Sequence, residues 1–322
     1  WKSGMTRGKE LTEKIRERIR NLCEKNLFKN CTLCPRKCNV NRLEGKRGYC
    51  GMDSTIRAAR AALHMWEEPC ISGKKGSGAV FFSGCGLRCC FCQNRDIAIG
   101  DSGKEISVER LAEIFLELQE KGAANLNLVT GAHYVPHIIS ALELARGKEM
   151  NLPVVYNSSG YESVETIRRL DGYVDVYLPD MKYMEPELAA AFSNARDYPQ
   201  AAQSAIAEMM RQTGPCQFAE DGYIKRGTIV RHLILPGHTK NSIAVLKYLY
   251  RTYGEDIFIS VMNQYTPVWK NEKFPELNRK VTRREYEKVL DAAIELGIEN
   301  GYFQEGETAE ESFIPAFDYE GV

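Results

Sequence analysis

Four cysteines fall within SGCGLRCCFCQN, residues 83–94, and three of them, Cys85, Cys89 and Cys92, follow the spacing C-x3-C-x2-C. Three thiolates on so short a loop can hold three irons of a [4Fe–4S] cube, a group that ordinarily takes four cysteine ligands. The missing fourth ligand leaves one iron open to a small molecule, by the logic that gives a catalytic zinc its open position. Zinc itself matches less well, because no fourth ligand lies at finger-like spacing. Cys85, Cys89 and Cys92 are therefore the candidate metal ligands and the centre of catalysis, and Cys90 is the spare thiol among them.

A second set, Cys31, Cys34, Cys38 and Cys50, reads C-x2-C-x3-C-x11-C. A segment of this size buries too little to fold alone, and a bound metal can supply on the order of 10–16 kcal/mol to such a unit. Arg36, Lys37, Lys46 and Arg47 flank these thiols and favour thiolates. The set reads as a second metal site, either zinc or a further iron–sulfur cluster, with Cys70 as an alternative to Cys50. Cys216 is incidental or approaches substrate. Most of the 11 cysteines cluster instead of spreading as staples, which places the chain in a reducing cytoplasm.

The elements that must position these residues follow from periodicity. Residues 9–25 place Leu11, Ile15, Ile19 and Leu22 on one face of an amphipathic helix. From residue 79 short β-rich runs alternate with helical stretches: AVFFSG (79–84), NLNLVT (125–130), PVVYN (153–157), VDVYL (174–178), TIVRHLIL (228–235) and IFISVM (257–262). Strands apolar on both faces, alternating with helices, imply an α/β fold with a buried parallel sheet, here a partial (β/α)6 TIM-like barrel. The first cysteine loop follows the first of these strands and so lies on the rim where barrel chemistry occurs. The expected organisation is a helix plus cysteine-rich metal module over 5–51, a connector over 52–78, the barrel over 79–305 and an acidic tail over 306–322. WKSG ahead of Met5 reads as an expression remnant.

Of the residues, 43% are hydrophobic and 27% charged, and formal net charge is zero, so no global field draws the chain to nucleic acid. Residues 1–50 carry 14 Lys/Arg against 5 Asp/Glu, and residues 289–322 carry 9 acidic residues and no basic one. These are local patches, read as solvated ends that face each other. No apolar run approaches the ~20 residues needed to span a bilayer, so no membrane role is expected.

C-x3-C-x2-C with Phe91 before its last cysteine, at the end of the first barrel strand, resembles the radical S-adenosylmethionine superfamily. The wider set CTLCPRKC, LHMWEEPCISG, GCGLRCCFCQN, HYVP, VVYNSSGYE, VDVYLPDMKY and VRHLILPG resembles proteins like the pyruvate formate-lyase-activating enzyme. The resemblance implies that the open iron chelates the methionine moiety of S-adenosylmethionine. An electron from a reduced flavodoxin or ferredoxin then cleaves the sulfonium to a 5′-deoxyadenosyl radical, which abstracts hydrogen. It implies adenosine contacts for Asn157 and Ser158, carboxylate contacts for Asp180 and Lys182, and a cofactor contact for Arg231. The superfamily's Gly-Gly-Glu-like element is absent. VTGAHYVP stands in its place, leaving the carbonyls of Thr130 and Gly131, with His133 as a further site candidate and His137 as ordinary.

Other features read differently. GKKGSG precedes a strand and lacks the terminal Lys-Ser/Thr of a phosphate loop, so it is a turn. Asp180 and Lys182 also read as a structural ion pair. Glu67 and Glu68 read as solvated or as site residues, and Gln264 and Tyr265 as rim residues or packing. The favoured function is a radical enzyme acting on a protein or peptide, like a glycyl-radical activase. The alternatives are radical modification of a small molecule or RNA, a zinc or iron–sulfur nucleic-acid binder, and a passive electron carrier. Nucleic acid binding fits poorly, because residues 7–47 lack interleaved aromatics.

Overall fold

The computed structural model describes residues 26–100, 102–304, 315 and 317–322. The amphipathic helix expected over 9–25 lies outside the described residues. Seven strands run parallel: β2 (Ser77–Phe82), β4 (Leu126–Val129), β5 (Val154–Ser158), β6 (Val176–Pro179), β8 (Ile224–Leu233), β9 (Phe258–Met262) and β10 (Gly301–Phe303). The first six coincide with the six β-rich runs, and β10 extends them. The sheet continues beyond β2 through β1 (Ile56–His64) and β3 (Lys104–Ile106), both antiparallel to their neighbours, while the short β7 (Gln217–Phe218) pairs with β8.

Helices fill the crossovers of this partial barrel: α3 (Val108–Glu120), α4 (Val135–Arg146), α5 (Val164–Arg169), α6 (Pro186–Ser193), α7 (Tyr198–Thr213), α8 (Thr239–Tyr253) and α9 (Arg283–Leu296). Local chemistry sets their ends. Ser107 accepts a hydrogen bond from Arg110 N at the start of α3, and Thr282 with Glu285 forms a capping box on α9. On β4 the side chains alternate: Leu126 and Leu128 join the outer core under α3 and α4, while Asn127 and Val129 face the barrel interior.

The interior is closed at its base by the connector. The short helix α1 (Pro69–Ser72) inserts Cys70 and Ile71 among Val155, Val176, Leu178 and Ile229. Asn125 donates to Ile71 O at 2.7 Å and Ser72 Oγ to His64 O at 3.0 Å, so the plug is tied to the sheet by hydrogen bonds as well as by burial. The plug places Glu67 and Glu68 on the cavity floor.

The cysteine-rich segment packs on the rim. Phe28 and Leu33 form its small apolar core. Leu33 O accepts hydrogen bonds from Ser163 and Thr166 at the start of α5. At the other end of the chain Ala61 N donates to Glu320 O at 2.8 Å and Tyr319 N to Ala59 O at 3.1 Å. Residues 319–320 thus run along β1 beyond the reach of β3.

Candidate active site

A cavity of ≈ 520 Å³ opens at the C-terminal ends of the parallel strands. The cysteine loop forms one wall. Gly84, just past β2, has φ +91 and a Cβ there would stand 2.4 Å from Met52, so only glycine permits this exit from the strand. Leu87 and Phe91 anchor the loop inward, with Phe91 edge-on to Phe192 and Tyr265 at 6.2 Å each. Hydrogen bonds to its main chain fix the rest: Cys90 N donates to Phe192 O at 2.8 Å, and the indole Nε1 of Trp269 donates to Cys90 O at 3.0 Å.

Cys85, Cys89 and Cys92 all line the cavity. Leu87 N donates to Cys85 Sγ at 3.4 Å, and Ser193 Oγ donates to Cys89 Sγ at 3.0 Å. Burial pushes the Cys89 thiol up to about 11, with Lys182 opposing it and Cys85 adding to it. Burial pushes Cys92 higher still, and the neighbouring Cys89 and Cys85 add to that. Burial keeps Cys89 and Cys92 from ionising unless a cationic metal core accepts their thiolates, which is the chemistry a cluster supplies. Cys90 instead meets Asn271 and Lys273 and does not line the cavity. It is half-buried against the 269–276 segment.

Opposite the thiols lies a charged network. Lys182 Nζ donates to Asp180 Oδ2 at 2.5 Å, and Arg231 Nε donates to Asp180 Oδ1 at 3.0 Å. Arg231 reaches further, to Glu67 at 3.0 Å and to Asn157 Oδ1 at 2.6 Å. Glu67 Oε1 also accepts from Asn157 Nδ2 at 3.0 Å and from Asn127 Nδ2 at 3.1 Å. Burial works against ionisation of Asp180, yet Lys182 and Arg231 hold its carboxyl below the usual range. Burial likewise opposes the charge on Lys182, and Asp180 and Cys89 overrule it, raising its pKa. Burial raises the carboxyl of Glu68 and the charge of Glu67 adds to that, with Arg231 working against them.

The cofactor-binding candidates divide accordingly. Phe91, Thr130, Asn157, Ser158, Asp180, Lys182 and Arg231 line the cavity; Gly131 and His133 do not. Thr130 holds φ +61, a left-handed conformation unfavourable for a β-branched residue, at the mouth of the cavity. His133 is buried with Nε2 against Ser83 O at 2.7 Å and serves the loop from behind. His137 is ordinary, bonded to Ser54 O and stacked on Phe28. Gln264 lines the cavity, while Tyr265 is packing and donates to Leu277 O. Glu67 is the central residue that sequence reasoning left between two readings. Asn127 and Ser193 carried no signal, because neither belongs to a spaced motif of polar residues.

The second cysteine set also gathers in space. Burial pushes Cys34 up to about 12, and Cys50 and Cys31 add to the shift. Burial raises Cys50, to which Cys31 and Cys38 add. Tyr49 N donates to Cys38 Sγ at 3.3 Å. Cys70 is not among them, since it plugs the barrel floor with Cys216 packed on the same core. Among the described residues, no three Cys, His, Asp or Glu side chains are preformed around a single ion.

This barrel, with three cysteines on the first rim loop facing an Asp-Lys-Arg network, defines a known class. The chain belongs to the radical SAM superfamily, whose model matches residues 79–249. It is 31% identical over 276 residues to the uncharacterised protein MJ0674 of Methanocaldococcus jannaschii, covering 84% of this chain and 75% of that one. It is 26% identical over 113 residues to the pyruvate formate-lyase-activating enzyme of Clostridium pasteurianum, covering 34% of this chain and 46% of that one. Among solved structures it resembles Streptococcus suis SuiB (TM-score 0.42, 13% identity, 71% of this chain and 48% of that chain). It also resembles anSMEcpe with bound AdoMet (TM-score 0.45, 12% identity, 66% and 57%), so the matches span about half of each solved chain. Among the described residues no helix is long and apolar enough to cross a membrane.

Proposed function

We propose that this protein is a radical enzyme of the glycyl-radical-activase type, acting on a protein or peptide in the cytoplasm with a reduced flavodoxin or ferredoxin as electron donor. The observation that carries the radical reading is the convergence of Cys85, Cys89 and Cys92 on the cavity wall opposite Asp180, Lys182 and Arg231. The partial likeness to an activating enzyme supports the choice of substrate class. When bound, a [4Fe–4S] cluster and S-adenosylmethionine supply reductive cleavage of the sulfonium and a 5′-deoxyadenosyl radical for hydrogen abstraction.

The chain's own residues have separable tasks. Cys85, Cys89 and Cys92 hold three irons, and Ser193 orients Cys89 through its hydroxyl. Lys182, kept cationic by Asp180, faces the thiols and offers its charge to a carboxylate of the nucleoside. Asn157 and Ser158 at the end of β5 present polar groups to the adenosine side of the cavity. Cys31, Cys34, Cys38 and Cys50 form a second metal site. A small-molecule substrate is the second reading, favoured by the enclosed floor that Glu67 and Glu68 build.

Anaerobic protein incubated with a reductant and S-adenosylmethionine should yield 5′-deoxyadenosine, and a Cys89→Ala variant should not. Deuterium moving from a labelled peptide glycine into 5′-deoxyadenosine supports the activase reading; transfer only from a small molecule replaces it.

A further inference from the structure

One side chain joins the second cysteine set to the loop that carries Cys85 and Cys89. Arg36, two residues past Cys34, donates from Nε to Gly86 O at 2.8 Å, from Nη1 to Asn194 O at 2.5 Å and from Nη2 to Ser193 O at 3.0 Å. Its guanidinium lies 3.9 Å from the ring centroid of Tyr49 and 5.2 Å from that of Tyr161. Ser193 passes the contact on, since its hydroxyl donates to Cys89 Sγ at 3.0 Å. Cys34 also lies against this loop: a Cβ built on Gly86 would stand 3.8 Å from Cys34 Sγ.

The charges do not balance without sulfur. Arg36 bonds only to neutral carbonyls, and among the described residues no carboxylate pairs with it. Arg42 is wholly buried, donates to Asp53 O at 3.0 Å and His133 O at 2.6 Å, and likewise has no carboxylate. Its guanidinium also meets the rings of Phe28 and Tyr134 and lies 3.9 Å from Cys31 Sγ. A buried guanidinium without a counter-charge is costly.

We infer that Cys31, Cys34, Cys38 and Cys50 hold a metal centre of net negative charge, and that Arg36 is a positioning residue coupling this centre to the loop of the radical cluster. The inference rests on the radical reading above. Four thiolates on Zn²⁺, or on an oxidised [4Fe–4S] cube of charge +2, leave about two negative charges either way. Arg36 then sits as a cation between two anionic centres. A nearby cation stabilises the reduced form of a cluster, so its loss makes reduction harder.

The test uses the anaerobically reconstituted full chain. Wild type should carry about four irons plus one zinc, or about eight irons. Cys38→Ala should lose only the second component. If that variant does not fold, the wild-type count decides, and about four irons without zinc overturns the centre. Arg36→Gln should keep both metals while the radical cluster's midpoint potential falls; Arg36→Lys, which retains the charge, should keep most of it. An unchanged potential and spectrum in Arg36→Gln overturns the coupling. The spectral response of the wild-type cluster to S-adenosylmethionine reads the radical assignment separately: its absence with the second centre loaded removes the proposed function alone.

Discussion

The carboxylate of Glu67 stands 3.0 Å from a guanidinium nitrogen of Arg231, 164 positions away in the chain. Through the same carboxylate the connector also binds Asn127 and Asn157, so one turn ahead of the barrel ties together β4, β5 and β8. The floor of the cavity is therefore supplied from outside the strand–helix repeat.

Glu67→Ala removes one of the two carboxylates paired with the buried Arg231 guanidinium, Asp180 being the other, and leaves two amides without an acceptor. Breaking a buried pair in this way costs about 3–5 kcal/mol. Urea unfolding should show a large fall in midpoint, and Glu67→Gln a smaller one. A change within about 0.5 kcal/mol for the alanine variant would mean that water replaces the pair.

Asp180 is the shared partner of Lys182 and Arg231. Asp180→Asn takes the carboxylate from Lys182, leaves Arg231 paired with Glu67, and unfixes the lysine that faces the thiols. Charge-assisted hydrogen bonds of this kind contribute about 1.5–3 kcal/mol, so nucleoside affinity should fall about tenfold or more. Titration of the reconstituted protein with S-adenosylmethionine reads this directly. An unchanged Kd assigns the trio to folding alone.

The four cysteines of the rim loop are not equivalent. Cys90→Ala should leave iron and sulfide content at the wild-type level, because that thiol faces Asn271 and Lys273. Cys92→Ala should lose the cluster. Equal iron in both variants would contradict the proposed ligand set.

Burial pushes His64 and His232 down to about 4 and His133 down to about 3. The folded chain keeps them neutral while the unfolded chain binds protons below pH 6.5. Their contribution to stability is complete above that value and is lost as pH falls toward 4. Glu162, raised to about 8 by burial, runs the other way: its contribution is lost as pH rises through that value. His64→Asn should therefore shrink the stability difference between pH 6.5 and pH 5 by about 1–2 kcal/mol, measured by denaturant unfolding at both. An equal difference in variant and wild type would show His64 to be solvated.

The six barrel strands were legible because each is a short apolar run closed by a turn and followed by a helical period. β1 was not: IRAARAALH is rich in alanine and arginine, and it becomes a strand only through its antiparallel register on β2. β10, three residues long, carries no periodicity. The candidate thiols were readable because their spacing is local. Glu67 was not, because two adjacent carboxylates in a turn-rich connector look the same whether water or a guanidinium meets them. Likewise the arginines near Cys34 were visible as charge, but that Arg36 would grip Gly86, 50 positions on, depends on how the module docks.

The strand-like pairing of Tyr319 and Glu320 with β1 covers backbone groups that would otherwise lie open on a sheet margin. Uncovered margins recruit other chains. A protein shortened by its last five residues should keep its barrel yet self-associate, and light scattering would register the change before any assay of chemistry did. Tyr319 and Glu320, by occupying that margin, would leave it closed to fibrous or dimeric adhesion.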